Sequence, residues 1–479
     1  MPVKRSDART KIICTLGPAC VRDEVLEGMV RGGMDAARLN FSHGTHAEHL
    51  RNLRAVRAAA AKSGEPVSIV VDLQGPKIRV GELDPPSVDL ADGSEVVIST
   101  AEGAGKGRVL STTYARLPDD VKPGDRVLID DGKIELTVLK SEGGRVTLRV
   151  DTGGTVTPHK GINLPGVSVS VPSLTTKDTE DLRFAFEHDV DYIALSFVCR
   201  ARDVAHLRDY IIEKGPKGRK IPIIAKIEKH EAIDNFDGIL READAVMVAR
   251  GDLGVELPPE DVPLLQKMIV RKCNMAGKPV IIATQMLESM IHSSTPTRAE
   301  AGDVANAVLD GADAVMLSGE TSVGKYPVRS VEVMEKIVRK TEEHLSGSSA
   351  FDPDWIPSTH EYDPLSRSAC ILADQLKAAA IVVLTHSGKT AYHVAKFRPP
   401  SRIIAVTDRE KIMRRLNLVW GIRGLIVGNL KKDTDVAFRQ IQADLLQNGY
   451  VSKGETVVMV AGLPLFEGHP TNTIKVDMV

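Results

Sequence analysis

Ile221-Pro-Ile-Ile-Ala-Lys-Ile-Glu-Lys-His-Glu-Ala-Ile233 begins as a run apolar on both faces and turns charged at Lys226 and Glu228. A strand with one wet face alternates apolar and polar residues, whereas a run apolar throughout reads as a buried parallel strand. The same pattern recurs in KIICTL from Lys11, DAARLNF from Asp35, VSIVVDL from Val67 and YIALSF from Tyr192. It returns in DAVMVAR from Asp244, VIIATQ from Val280 and DAVMLSGE from Asp313. Helix-length segments separate these runs; after DAARLNF, for example, Leu50, Leu53 and Val56 recur at helical spacing. Together they make about eight strand–helix units, the number that closes a TIM (β/α)8 barrel.

Each run starts apolar and ends polar: Arg38 to Asn40, Asp72, Ser196, Lys226 to Glu228, Arg250 to Asp252, Thr284-Gln285, Ser318 to Glu320. Such barrels do their chemistry at the C-terminal ends of the strands, so this is where a site is expected. A doubly wound sheet binds at one switch point and does not need every strand to end this way.

Three regions follow from the texture of the chain. Residues 1–74 and 172–346 carry the barrel pattern. Residues 75–171 hold SEVVIST, DRVLIDDGKIELTVLK and GRVTLRV, split by Gly and Asp turns, and read as an inserted β lid shaped as a small barrel. Residues 347–479 begin with the polar link SGSSAFDPDWIPST and continue with AAAIVVLTHSGKT, RIIAVTD, GLIVG and ETVVMVAG, a separate C-terminal α/β domain. A lid over the strand ends would exclude water on closing.

Composition narrows the class. With 62 Lys plus Arg against 64 Asp plus Glu, the formal net charge is -2, which gives no reason to expect nucleic-acid or membrane binding. No run approaches the roughly 20 apolar residues of a membrane span. Cys14, Cys20, Cys199, Cys273 and Cys370 are scattered and odd in number, which points to free thiols in a reducing, cytoplasmic setting. The opening MPVKRSDARTK has basic residues with no apolar stretch behind them and does not read as a secretory signal.

Lys226 and Glu228 are two apart on one strand and share a face. On spacing alone a structural ion pair explains them as well as a site does. Asp252, at the end of the next run in Arg250-Gly-Asp-Leu-Gly254, brings a second carboxylate. Two carboxylates with waters and substrate oxygens suit Mg²⁺, and the flanking glycines let backbone amides approach an anion.

IPIIAKIEKHEAI, with RLNFSHG, GPKIR, GINLPG, ARGDLGVE, ATQMLESM, PTRAE and SGETSVGKYP in that order, resembles the pyruvate kinase family across almost the whole chain. The resemblance implies Mg²⁺- or Mn²⁺-dependent phosphoryl transfer from phosphoenolpyruvate to ADP, the last step of glycolysis. It implies that Lys226 and Arg38 hold the phosphoryl, and that Glu228 and Asp252 bind the metal. The amides of Gly251 and Asp252 would face the substrate carboxylate, with the Thr284 hydroxyl completing that pocket. Arg79 and Lys160 would reach the nucleotide phosphates, with Asn40 and His43 nearby. Thr284 and Ser318 would orient the water or relay that protonates the enolate. A homotetramer is likewise implied.

One stretch departs from the potassium-dependent members, which read D-T-K-G-P-E-I-R. Here Asp72-Leu-Gln-Gly-Pro-Lys-Ile-Arg79 places Lys77 where they carry Glu. In those members a monovalent cation sits among residues matching Asn40, Ser42, Asp72 and the Leu73 carbonyl. A lysine ammonium supplies the same single charge, so K⁺ is expected to be dispensable; the alternative is that Lys77 faces solvent.

Other motifs carry less. Gly319 to Lys325 nearly spells a phosphate-binding P-loop, but Tyr326 stands where the Ser/Thr belongs. His43, His46 and His49 lack a carboxylate or cysteine to complete a zinc set and read as surface or substrate-loop histidines. Gly103 to Gly107 reads as a lid turn. Thr385-His-Ser-Gly-Lys-Thr390 lies between a strand and a helix, either as an N-cap turn using Ser387 or as a phosphate site. The resemblance favours the second, as the loop for a phosphorylated allosteric effector. Its identity, whether AMP, a sugar monophosphate or a sugar bisphosphate, is not legible in the closing loop AGLPLFEGHPTN.

Two other classes compete. A metal-dependent aldolase or lyase on a related barrel also uses a Glu/Asp pair and an enolate, but needs neither Lys226 nor Arg79 and Lys160 beneath a lid. A silent metabolite sensor has no reason to keep Lys226.

Overall fold

The structure, a computed structural model, describes the chain except residues 1–7, 102, 219, 349–355, 357, 359, 429–432 and 466–468. Most of the polar link after the barrel, the first residues of the opening stretch and part of the closing loop therefore lie outside the described residues. Eight parallel strands close a barrel: β1 Lys11–Thr15, β2 Ala36–Asn40, β3 Ser68–Asp72, β4 Tyr192–Leu195, β5 Ile223–Ile227, β6 Ala245–Ala249, β7 Val280–Ala283 and β8 Ala314–Leu317. Sequential strands are neighbours all the way round, and β1 pairs with both β2 and β8.

Strand geometry sends alternate side chains to opposite faces. Ile13, Ala36, Val70, Tyr192, Ala194, Ile224, Met247, Ile281 and Met316 fill the interior. Their neighbours Ile12, Ala37, Ile69, Val71, Ile193, Ile223, Val246, Ile282 and Val315 pack in the larger core with the surrounding helices. Both sets are apolar, which is why the runs show no alternation in sequence.

The strand starts repeat a device. Asp35, Asp191, Asp244 and Asp313 each precede a strand and accept the first or second amide of the strand before it. Their bonds come from Ile12 N at 2.9 Å, Ile69 N at 2.9 Å, Ile223 N at 2.8 Å and Val280 N at 3.1 Å. Each also meets a cation: Lys11 at 3.6 Å, Arg57 at 2.8 Å, Arg208 at 3.0 Å and Arg398 at 2.9 Å respectively.

The insertion builds a six-stranded sheet from segments between Glu95 and Asn163, with two smaller two-stranded sheets. Its core is separate, centred on Ile98, Leu110, Val127, Leu136, Leu148 and Val150. Gly75 stands at its entry with φ 66°, and a Cβ there would sit 3.0 Å from both Ser196 and Phe197. Only glycine meets both demands.

The C-terminal domain is a five-stranded sheet: β9 Ala380–Leu384, β10 Arg402–Thr407, β11 Ile422–Ile426, β12 Thr456–Ala461 and β13 Thr473–Met478, in the order β11-β10-β9-β12-β13. It caps the strand-start end of the barrel. Leu418 is fully buried among the interior barrel residues, and Lys11 Nζ donates to Ile422 O at 2.8 Å. The Tyr192 hydroxyl lies 3.0 Å from the Tyr392 hydroxyl and donates to Arg415 O at 2.8 Å. Arg398 stacks over Trp420 while holding Asp313. All five cysteines are free, and among the described residues no helix is long and apolar enough to cross a membrane.

Asp313→Ala strands Arg398 at the domain junction and removes the acceptor of Val280 N. Breaking such a pair costs about 3–5 kcal/mol, to be read as a lowered urea midpoint, with a smaller drop in Asp313→Asn. An unchanged midpoint would show that the strand-start aspartates are dispensable.

Candidate active site

The interior parity of each strand continues beyond its apolar part. Two residues on from Ile13 is Thr15, from Ala36 Arg38, from Val70 Asp72, from Ala194 Ser196, from Ile224 Lys226 and from Met316 Ser318. The site is the last layer of the barrel interior, built from polar side chains in the same register as the core.

Lys226 is its centre. Its ammonium donates to Ser196 Oγ at 2.7 Å and pairs with Glu228 Oε1 at 2.9 Å and Asp72 Oδ1 at 3.2 Å. Burial works against its charge, but Asp72 and Glu228 outweigh burial and raise its pKa. Arg38 Nε binds the other oxygen of Asp72 at 2.6 Å, and its Nη1 donates to Thr15 Oγ1 at 3.0 Å. Asp72 is fully buried; burial opposes its ionisation, and Lys226 and Arg38 prevail and hold its carboxyl below the usual range.

Glu228 accepts a second bond from Phe197 N at 2.6 Å, with Phe197 held at φ 55°. Burial raises the Glu228 pKa; Lys226 opposes the rise and Asp252 adds to it. Asp252, about a quarter exposed, has its Oδ1 3.8 Å from Lys77 Nζ. Burial and the neighbouring Asp252 push Glu228 towards its neutral form, a strain that a divalent cation between the two carboxylates would relieve. Among the described residues no group of three or more His, Cys, Asp or Glu side chains forms a metal cage. A cation here would therefore take its other oxygens from substrate and water.

Thr284 and Gln285 carry φ 68° and 56°, a left-handed pair that is costly for a β-branched residue. Thr284 Oγ1 accepts Gly251 N at 2.7 Å, and its carbonyl takes Arg250 Nη2 at 2.9 Å. Arg250 also reaches Asp303 at 2.7 Å, so this turn is braced from beneath. The Ser318 hydroxyl is buried with no hydrogen-bond partner among the described residues.

On the β2 side, Asn40 Oδ1 accepts Ser42 N at 3.2 Å. Burial, then the charges of Arg79, Arg38 and Lys77, lower the His43 pKa, so these cations converge on one edge of the cleft. Arg79 Nη1 donates to His159 O at 3.0 Å and Lys160 pairs with Asp130 at 2.8 Å, which fastens both to the lid. The Leu73 carbonyl accepts Ser196 Oγ at 2.8 Å. His49 is not a surface residue: it is buried, stacked 4.1 Å from Phe41, and donates through Nε2 to His43 O at 2.9 Å. His46 pairs with Asp181 at 2.7 Å.

The effector-loop candidates lie apart, in the C-terminal domain. The cap of the helix Lys389–Lys396 is Gly388 at φ 88°, not Ser387, because the turn needs a left-handed residue there. Thr385 Oγ1 takes Gly388 N at 2.9 Å, Thr390 Oγ1 meets Thr471 Oγ1 at 2.9 Å, and His386 faces Asp408 at 3.2 Å.

The chain's similarity to known proteins decides which chemistry this geometry serves. The family description "Pyruvate kinase, barrel domain" matches residues 7–331, and "Pyruvate kinase, alpha/beta domain" matches residues 363–477. The chain belongs to the pyruvate kinase family. It is therefore a phosphotransferase. It is 46% identical over 472 residues to the pyruvate kinase of Mycobacterium tuberculosis, covering 98% of each chain. It is 44% identical to that of Geobacillus stearothermophilus, covering 98% of this chain and 80% of the relative. The crystal structure of a pyruvate kinase from Cryptosporidium parvum superposes with a TM-score of 0.91 at 37% identity, covering 98% of this chain and 96% of that one.

Reading the motifs alone misses Thr15, Ser196 and the Phe197 amide as parts of the cluster. Interior parity would have found the first two; the amide depends on a backbone turn that no residue type announces. Ser196→Ala removes a hydrogen bond to a charged group worth about 1.5–3 kcal/mol. Steady-state kinetics should show kcat/KM falling by roughly ten- to a hundredfold. Wild-type kinetics would exclude Ser196 from the cluster's function.

Proposed function

We propose that the cluster transfers a phosphoryl group from phosphoenolpyruvate to ADP, giving pyruvate and ATP. The observation that carries this reading is the buried, charged Lys226 ammonium between Asp72, Glu228 and Ser196 at the catalytic end of the barrel. Phosphoryl transfer depends on positioned positive charge more than on covalent chemistry.

Glu228 and Asp252 are the residues that would hold Mg²⁺ or Mn²⁺. When bound, such a cation supplies charge to the phosphate and carboxylate oxygens. An ammonium has three N–H donors, and those of Lys226 face three acceptors within 3.2 Å. One must be released before a phosphoryl oxygen can take its place. Glu228 is the acceptor with an alternative partner, so its engagement elsewhere frees Lys226 towards substrate. Arg38 then approaches the phosphoryl from the other side, anchored by Asp72.

The Asp252 amide, and the Gly251 amide once released from Thr284 Oγ1, receive the substrate carboxylate beside Thr284. Ser318, with its unpartnered hydroxyl, and Thr284 orient the water or relay that protonates the enolate, since neither is a strong acid. Arg79 and Lys160 serve the nucleotide phosphates with Asn40 and His43, and closure of the lid must redirect them from His159 and Asp130. Lys77 takes the place of K⁺ beside Asn40, Ser42, Asp72 and the Leu73 carbonyl; its ammonium lies in the cleft, 3.8 Å from Asp252. The loop Thr385, His386, Ser387, Gly388, Lys389 and Thr390 binds the phosphate of an allosteric effector, within a homotetramer.

A coupled assay for pyruvate formation tests the reaction. Lys226→Met abolishes turnover while Mn²⁺ binding, followed by electron paramagnetic resonance, persists; retained turnover refutes the assignment. In a second assay, tetramethylammonium replaces K⁺. The wild type keeps its rate, whereas Lys77→Glu loses most of it and recovers when K⁺ is added. A wild type that stalls without K⁺ sinks the substitution by Lys77.

A further inference from the structure

Bordering the catalytic cleft at Lys77 and Phe197 lies a cavity of about 70 Å³, most of whose lining the proposed reaction does not use. Both strands joining the lid to the barrel line it, through Ile78 on the way in and Ile162, Val169 and Val171 on the way out. The barrel supplies the opposite wall with Phe197, whose amide holds Glu228. The apolar wall is thus continuous across the hinge.

The polar wall is unbalanced. Lys77, Arg200, Arg202 and Lys229 face two carboxylates, Asp203 and Glu231. Neither carboxylate is at liberty. Asp203 accepts the amides of Cys199 at 2.9 Å and Arg200 at 2.8 Å, and Glu231 binds Arg200 at 2.6 Å. Lys77 and Lys229 lean towards Asp252 and Glu256 outside the cavity, at 3.8 and 3.6 Å. Arg202 is exposed and forms no ion pair among the described residues.

We propose that this hinge cavity is a binding site, separate from the catalytic cleft, for a small organic anion with an apolar body. A carboxylate or phosphate head meets Arg202 and Lys229, while the body fills the space between Ile78, Val169, Val171 and Phe197. Arg202, which has no ion pair among the described residues, beside a half-buried apolar wall selects this class over a neutral or cationic ligand. A ligand seated there touches both hinge strands and the turn that clamps Glu228. It fixes the lid at one angle and lowers turnover without competing for substrate, an effect that rests on the lid closure proposed above.

Binding to the full-length protein is measured by equilibrium dialysis, which does not depend on that reading. Benzoate and phenyl phosphate supply head and body, inorganic phosphate the head alone and benzamide the body alone. The aromatic anions bind saturably in the presence of saturating phosphoenolpyruvate, and more tightly than either half-probe. Which of the two binds better identifies the head group. Arg202→Glu, at the cavity's edge, and Val169→Trp, which fills it, each weaken binding about tenfold or more, with basal turnover kept in Arg202→Glu. The bound anion lowers kcat and leaves KM for phosphoenolpyruvate unchanged. Displacement by phosphoenolpyruvate, phosphate binding as tightly as phenyl phosphate, or unaltered binding in both variants overturns the site. Binding with these properties but without any change in kcat leaves the site standing and refutes its control of the lid.

Discussion

A charged lysine amine removed from water must be repaid by partners, and the mouth of this barrel is organised around that requirement. Lys226 demands acceptors, and Asp72, Glu228 and Ser196 supply them. Asp72, fully buried, demands a second cation, and Arg38 supplies it. The resting cluster has two cations against two carboxylates. Asp252 tips the balance towards negative charge and adds to the rise in the Glu228 pKa that burial causes. That imbalance is one that a divalent cation would offset.

Much of this was legible in the chain. Runs apolar on both faces with polar ends pointed to a parallel barrel, and the structure has that barrel and gathers polar side chains at the strand ends. Lys226 and Glu228 sharing a face is a consequence of strand pleat alone. The step beyond an ordinary ion pair came from Asp252, in the first turn of the helix Arg250–Glu256 that follows the neighbouring strand, because adjacency of sequential strands is what a barrel guarantees.

The rest was hidden for identifiable reasons. Ser196 and Thr15 are common residue types, and only the register of the interior face marks them. The Phe197 amide contributes through backbone conformation. The left-handed Thr284-Gln285 pair is the opposite of what a β-branched residue announces, and it is held by Arg250, Asp303 and Gly251 from different elements. The Ser387 cap, one of the two readings of that loop, is not made because local hydrogen-bonding propensity lost to the backbone's need for glycine at φ 88°. His49 read as a surface residue because sequence does not show that Phe41 covers it.

The strand starts carry the same logic to the opposite end. Asp35, Asp191, Asp244 and Asp313 hold the first or second amides of the preceding strands, and two of them are gripped by Arg414 and Arg398 of the C-terminal domain. Leu418 fills the floor between them. Strand β4 runs only from Tyr192, bonded to that domain, to Leu195, one residue before the Ser196 partner of Lys226. A four-residue strand packed on both faces has no slack in which to absorb a shift between its ends. The cap and the catalytic mouth are therefore mechanically one body, and the spacing of the charged cluster is set as much by the floor as by the residues that form it.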